Sequence, residues 1–416
     1  MSTAPWVSVP ADSGFGLGHL PYGAAVLGDD AQHLLVRIGD DALDLNEAGA
    51  AGLLDELAAG IDAGAVTPET LRAVVDAPVL NPLLAAGPAV WAALRGRVTE
   101  LLTDPAYRDR VVLRPLDALT PVLAWSVGDY VDFYSSEHHA ANVGRMFRPT
   151  APPLYPNWRH QPIGYHGRAG TVVVSGTDIV RPRGQYPVDG TPTFGATRRL
   201  DIEAEVGFVV GTSNDLGTPI STVDYRGHVF GVVLLNDWSA RDLQAWETVP
   251  LGPFLGKSFA TSVSAWVTPL AALDAAGVAG PDQDPPVLDY LREETPSGLD
   301  LELLVRWNGE VVSRPPFATM YWSPAQQLAH LTVNGARVRT GDLYASGTVS
   351  GPEAGQRGSF LELTWNGAEP VTLADGSTRE FLLDGDEVVI SATATGVDGR
   401  PITLGAVTGR IRPARD

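Results

Sequence analysis

Hydrophobic positions along the chain follow two different periods. Near the start, His33-Leu-Leu-Val-Arg-Ile-Gly39 alternates over a short run, which predicts a strand. Segments around 48–61, 68–76 and 88–103 are rich in alanine and leucine, carry few interior glycines and repeat with helical spacing. A Pro-containing connector from Asp104-Pro105 to Thr120-Pro121 then marks a change of texture, and divides the chain into residues 1–121 and 122–416. The second part is strand-rich and heavily punctuated. Thr171-Val-Val-Val-Ser175, bounded by Gly170 and Gly176, predicts a strand, as does the apolar run from Val229 to Leu235. Asn308-Gly309 and Asn366-Gly367 each sit between β-type runs and predict tight hairpins. From Ser323 to Gly335 an N-cap serine, a proline at the first helical position and a terminating glycine predict a helix. Residues 277–287, rich in proline and aspartate, predict an exposed loop. No internal repeat is visible.

Composition narrows the function. With 416 residues the chain can form one large domain and a smaller one around a substantial core. A formal charge of −20 argues against a nucleic-acid groove and against an anionic membrane surface. Cysteine is absent, which excludes thiol catalysis, thiolate metal sites and disulfide stapling. The longest apolar runs are too short to span a bilayer. No basic region followed by an apolar stretch opens the sequence, so a cytoplasmic location is expected.

Four polar windows carry candidate chemistry. Asp129 to Arg148 holds carboxylates, Tyr134, the pair His138-His139 and an arginine. In Ile202-Glu-Ala-Glu-Val206 the two acids alternate with apolar residues, so on a strand Glu203 and Glu205 share a face. Two such acids suit an oxygen-liganded Ca²⁺ or Mg²⁺, although a solvent-facing strand has the same pattern. Asp237 follows the apolar strand where the chain turns towards a helix, and Ser239-Ala-Arg-Asp242 resembles a capping box, predicting a helix start near Ser239. Arg241 and Gln244 then share a helix face. The apolar, irregular stretch from Val249 to Lys257 places Lys257 beside a shaped cavity. A neutral imidazole near a metal is a plausible base for water, and spacing alone leaves His138 and His139 both open. Other mechanisms find no support, since there is no Gly-x-Ser-x-Gly elbow, no complete phosphate loop and no His-Glu-x-x-His helix.

At these residues the chain resembles the fumarylacetoacetate hydrolase family in its full-length two-domain form. The densest parts are Asp132-Phe-Tyr-Ser-Ser136, Gly164-Tyr-His-Gly-Arg168, Asn236-Asp-Trp-Ser-Ala-Arg-Asp242, Pro250-Leu-Gly-Pro-Phe-Leu-Gly-Lys-Ser258 and Ala345-Ser-Gly-Thr348. The likeness runs from Leu20-Pro-Tyr-Gly23 to Leu383-Asp-Gly-Asp-Glu387 and so covers most of the chain. It implies an α+β, β-rich fold, with a small SH3-like β-barrel over 1–121 and a catalytic domain with a mixed β-sheet roll over 122–416. It also implies a homodimer, a small β-diketo diacid substrate, and Ca²⁺ and/or Mg²⁺ as cofactor. The implied metal site is Asp132, Glu203, Glu205 and Asp237, with Lys257 and Thr261. The implied base is His139, oriented by Glu362, and Arg241, Gln244 and Lys257 take the oxyanion role. Substrate contacts fall on Tyr134, Arg148, Tyr165, Gln244 and Thr348. One position departs: Thr248 stands where the family has a substrate-contacting tyrosine.

The implied reaction is metal-dependent hydrolysis of the carbon–carbon bond of 4-fumarylacetoacetate, giving fumarate and acetoacetate, the last step of tyrosine and phenylalanine breakdown. One alternative is acylpyruvate hydrolysis or decarboxylation and isomerisation on a related diacid. An alternative of another class is a non-catalytic Ca²⁺-stabilised β protein, which leaves His139, Glu362, Arg241, Gln244 and Lys257 without a purpose.

Overall fold

A computed structural model describes residues 5–10, 12–28, 31–55, 57 and 68–416. The strand Val229–Asp237 organises them. Its side chains alternate between two cores: Val232 and Leu234 enter one, Phe230, Val233 and Leu235 the other. A strand buried on both faces has no polar face to show, which is why the sequence here is a continuous apolar run.

This strand belongs to a 13-stranded sheet whose main path is Leu113–Pro115, Asp41–Asp44, Gln32–Ile38, Tyr22–Val26, Trp266–Pro269, Val229–Asp237, Ala204–Val210, Leu343–Ala345, Tyr130–Phe133 and Gly164–His166. Most neighbours are antiparallel, but Leu343–Ala345 runs parallel to Tyr130–Phe133 and Thr261–Val263 parallel to Val172–Val174. On one side a five-stranded sheet covers it, and Val388, Ile390 and Val407 join Val206, Phe208 and Val232 in a shared core. On the other side Val90, Leu94, Val98 and Leu101 of the helix Pro88–Thr103 close over Val209, Val233, Leu235 and Val267. Burial of each such side chain contributes about 1.5–3 kcal/mol.

The α+β, sheet-rich class expected from the sequence is the one the chain adopts. Asn308 and Gly309, both at positive φ, form the predicted two-residue turn between Glu302–Trp307 and Glu310–Ser313. The helix Pro324–Thr332 starts at Ser323 with a full capping box to Gln326. Residues 277–287 are mostly loop, apart from Gly277–Val278, which pairs with Gly298–Leu299.

Other expectations need correction. Asn366-Gly367 is no hairpin: it is a turn following the short helix Phe360–Leu363, whose apolar residues are buried on a helix rather than a strand. The helical pattern around 48–61 gives a helix at Leu45–Ala50 followed by turns, and its remainder lies largely outside the described residues. Thr120–Val122 pairs with Tyr22–Val26, and among the described residues it makes no pair with Leu113–Pro115. The N-terminal strands are therefore an open curl joined edge-on to the larger sheet.

Candidate active site

Strand parity gathers the carboxylates. Asp132 shares a face with Tyr130, Glu205 with Val209, and Asp237 with Val233 and Leu235, so all three lie on the side of the sheet that faces the N-terminal core. The strands are neighbours in register: Ala345 lies opposite both Asp132 and Gly207, and Glu205 opposite Leu235. Glu203, just before its strand, is tied in where its carbonyl accepts Asp237 N at 3.1 Å. As a result Asp132, Glu203, Glu205 and Asp237 are all buried, and each offers an oxygen within 4.8 Å of the others.

Their electrostatics differ. Burial, reinforced by the charge of Asp237, pushes the Asp132 carboxyl well above the carboxylate range. Burial does the same to Glu205, with Asp132 adding to it. At Glu203 burial pushes upwards as well, but the charges of Lys257 and Arg241 prevail and hold the group ionised. Burial also raises Asp237, against the pull of Lys257. Asp132 Oδ1 and both carboxylate oxygens of Glu205 are buried with no hydrogen-bond partner among the described residues. A hard cation with oxygen ligands fits this set: it would partner the orphaned oxygens and relieve the repulsion among the four acids.

Cations and hydroxyls brace the cluster. Lys257 Nζ donates to Asp237 Oδ2 at 2.7 Å and to Glu203 Oε2. Thr261 Oγ1 donates to Asp237 Oδ1 at 3.0 Å and Tyr165 OH to Asp237 Oδ2 at 2.9 Å. Arg241 pairs with Glu203 Oε1 through Nη2 at 2.7 Å and donates from Nη1 to Gln244 Oε1 at 3.1 Å. Lys257 reaches this point because Gly256 lets its loop press against the helix Arg241–Glu247, where a Cβ would lie 2.7 Å from Gln244 N.

The imidazole comes from the helix Glu137–Phe147, which is capped by Ser136. His139 is buried, with Nδ1 at 2.6 Å from Glu362 Oε2 and Nε2 at 4.0 Å from Glu203 Oε1. Neighbouring His138 is only half-buried and has no part in these bonds. Glu362 also accepts from Asn142, Ser350 and Ser359, each at 2.9 Å. Spacing alone left the two histidines open; burial and the carboxylate partner separate them.

The remaining positions are less uniform. Tyr134 sets its ring edge-on to His139, with centroids 5.2 Å apart. Thr348 is buried and its Oγ1 has no hydrogen-bond partner among the described residues. Its loop folds tightly: Gly347 has φ of 75°, and a Cβ there would lie 2.1 Å from Phe133 O. Arg148 is not brought to the carboxylates. Its guanidinium donates to Pro152 O at 3.3 Å and Pro153 O at 2.7 Å, and stacks on Tyr155. Thr248 is exposed and donates to Gln244 O at 2.6 Å. The capping box expected at Ser239 does not form. Ser239 pairs as a strand with Asp201 and donates its hydroxyl to Asp237 O, the helix begins at Arg241, and Asp242 is taken by Thr197 and by Arg198 N.

Asn142, Ser350, Ser359 and Asp201 also enter this network. Asn142 was within reach, three residues after His139 on the same helix face. Asp201 continues the alternation of Glu203 and Glu205.

Comparison with known proteins agrees with this geometry. Residues 18–123 match the family described as fumarylacetoacetase N-terminal, and residues 130–412 the family described as fumarylacetoacetate (FAA) hydrolase C-terminal. Fumarylacetoacetase of Homo sapiens is 45% identical over 425 residues, covering 98% of this chain and 99% of that protein. Fumarylacetoacetase of Arabidopsis thaliana is 43% identical over 425 residues, with 98% of each chain covered. A solved fumarylacetoacetate hydrolase from Exiguobacterium antarcticum shares the fold, with a TM-score of 0.56 at 16% identity over 95% of this chain and 100% of that one. With both halves matched and near full-length likeness to such relatives, the chain belongs to the fumarylacetoacetate hydrolase family.

Proposed function

We propose that the chain hydrolyses the carbon–carbon bond of 4-fumarylacetoacetate to fumarate and acetoacetate, at the end of tyrosine and phenylalanine breakdown. The observation that carries this reading is His139, held by Glu362 at 2.6 Å while its other nitrogen faces the rim of the four-carboxylate cluster. Asp132, Glu203, Glu205 and Asp237 would hold a Ca²⁺ or Mg²⁺, which would supply Lewis-acid polarisation of the diketone. Lys257 and Thr261 keep the Asp237 carboxylate in place.

Glu362 accepts a hydrogen bond from Nδ1–H, which leaves Nε2 of His139 as the base that takes a proton from water. The hydroxide attacks the carbonyl carbon of the fumaryl group, which becomes a carboxylate of fumarate. Arg241, Lys257 and the amide of Gln244 stabilise the oxyanion. The carbon–carbon bond then breaks, its electron pair delocalises over the second carbonyl as an enolate, and a proton returns to that carbon to give acetoacetate. Tyr134, Tyr165, Gln244 and Thr348 contact the substrate, and Arg148 takes a carboxylate end by leaving its carbonyl partners. The unpartnered hydroxyl of buried Thr348 supports its place in this set.

The reading extends to the assembly. The division falls at residues 121 and 122, between an SH3-like N-terminal unit, whose barrel is partly open, and a rolled mixed sheet. A homodimer in the cytoplasm is proposed from the family likeness. Trp246 near the end of the helix Arg241–Glu247, and Val249, Leu251, Phe254 and Leu255 after it, leave apolar side chains in solvent, surface that association would cover. Among the described residues no helix is long and apolar enough to cross a membrane. The test is the loss of 4-fumarylacetoacetate absorbance with and without a chelator. Turnover abolished by chelation and restored by Mg²⁺ or Ca²⁺ is the expected result, and no cleavage under any metal condition refutes the reading.

A further inference from the structure

Asp201 has no role in the reaction as described, yet it is fully buried and both of its oxygens are engaged. Oδ2 accepts from Arg241 Nε at 2.7 Å and from Leu361 N at 3.1 Å. Oδ1 accepts from Phe360 N and from Ile202 N, each at 2.8 Å. Phe360 and Leu361 open the four-residue helix Phe360–Leu363, which carries Glu362. A single carboxylate therefore touches both the arginine assigned to the oxyanion and the element that holds the partner of the base.

Both sides have other holds, but Asp201 adds one that the others do not supply. Glu203, the other acid on Arg241, is shared with Lys257, and Gln244 offers a neutral oxygen. Among the described residues only Asp201 engages the Nε edge of the planar guanidinium, which sets the rotation of that plane. On the other side, a helix of one turn leaves its first N–H groups open. Ser359 takes the N–H of Glu362 and donates to Glu362 Oε2, while Asp201 takes those of Phe360 and Leu361. Phe360 stacks on Trp307 at 3.9 Å between centroids, so a shift of the helix is resisted on its far side as well.

We propose that Asp201 is a positioning residue that fixes the spacing between Arg241 and the His139–Glu362 pair. This inference rests on the hydrolytic reading above. Misplacing catalytic groups by about 1 Å costs on the order of 10²-fold in rate, and one lost anchor here moves two groups together.

The experiment is steady-state kinetics on 4-fumarylacetoacetate for the metal-loaded wild type, Asp201→Asn, Asp201→Glu, Glu362→Gln and the double variant Asp201→Asn/Glu362→Gln. Folding of each is checked by near-ultraviolet circular dichroism and thermal midpoint. Asp201→Asn keeps the shape but turns an amide donor towards N–H groups, so kcat should fall by about 10²-fold with KM little changed. In the Glu362→Gln background the same change should cost much less, since the arm it positions is already impaired. Asp201→Glu keeps the charge and the acceptors and should recover part of the rate. A purely structural anchor would lower the thermal midpoint while leaving kcat per folded molecule unchanged, and that result overturns the proposal. So does full additivity in the double variant, or failure of both single Asp201 variants to fold. A wild type that does not cleave the diketone refutes the hydrolytic reading instead, which keeps the two failures distinct.

Discussion

Glu362 Oε2 lies 2.6 Å from His139 Nδ1, across 223 positions of sequence. Burial alone would raise the Glu362 carboxyl. Interaction with His139, electrostatic and through its hydrogen bond, together with hydrogen bonds from Asn142 and Ser350, holds it below its usual range instead. An ionised carboxylate only accepts, so Nδ1 carries the proton and Nε2 is free to act as the base. The imidazole is thereby fixed in both tautomer and orientation before substrate arrives.

Replacing His139 with alanine should lower kcat by roughly 10²–10⁴-fold, the range of a general base. Alanine at His138 should change it little, because that side chain is only half-buried and outside the network. Comparable losses at the two positions, measured by steady-state kinetics, would exchange or merge their roles.

Exhaustive chelation should remove activity and lower the thermal midpoint, and Mg²⁺ or Ca²⁺ should restore both. The stability arm follows from four buried carboxylates that repel one another, two of them with orphaned oxygens. Full turnover in protein shown by elemental analysis to lack divalent metal would refute this.

Thr248→Tyr should lower KM and leave kcat nearly unchanged, since it restores a phenol without touching a catalytic group. The exposed position of Thr248 leaves room for a ring. If turnover falls while KM stays constant, the carry-over of a substrate contact to this position is wrong.

His19 sets a pH limit on stability. Burial pushes it down to about 3; a hydrogen bond to Gly14 O opposes this, while Arg95 and Arg37 add to it. Unfolded, it titrates near 6.5. Between those values the unfolded chain binds a proton that the folded chain refuses, so stability is lost as pH falls through this window, by about 1.4 kcal/mol per pH unit. His19→Asn should flatten the fall of thermal midpoint between pH 6.5 and 4 relative to wild type. An unchanged slope would mean that His19 is protonated in the fold.

Much of this was legible in the chain because local rules suffice for it. Alternation placed Glu203 and Glu205 on one face, and Ser323 announced its helix. Where partners are distant, local rules fail. Ser239 and Asp242 have the spacing of a cap, but Asp201, Thr197 and Arg198 compete for them and win. Asn366-Gly367 has hairpin composition, yet its upstream segment is helical because Ser359 caps it and Asp201 takes its first N–H groups. Resemblance to a family supplied the link from Glu362 to His139, which no spacing could show.

The N-terminal curl meets the rest of the protein through main-chain pairing. Tyr22 and Gly23 pair with Val267 and Trp266, and the strand Trp266–Pro269 pairs in turn with Val229–Asp237, which ends in a proposed metal ligand. A chain starting at residue 122 would expose Trp266–Pro269 as a bare edge, an open template for another chain, and would uncover Val233 and Leu235 beneath it. Residues 122–416 made alone should therefore self-associate and form a poor site, and co-expression with residues 1–121 should reverse this. What looks from the sequence like an appended module behaves as the selvage of the catalytic sheet, the finished border that keeps the fabric from unravelling into its neighbours.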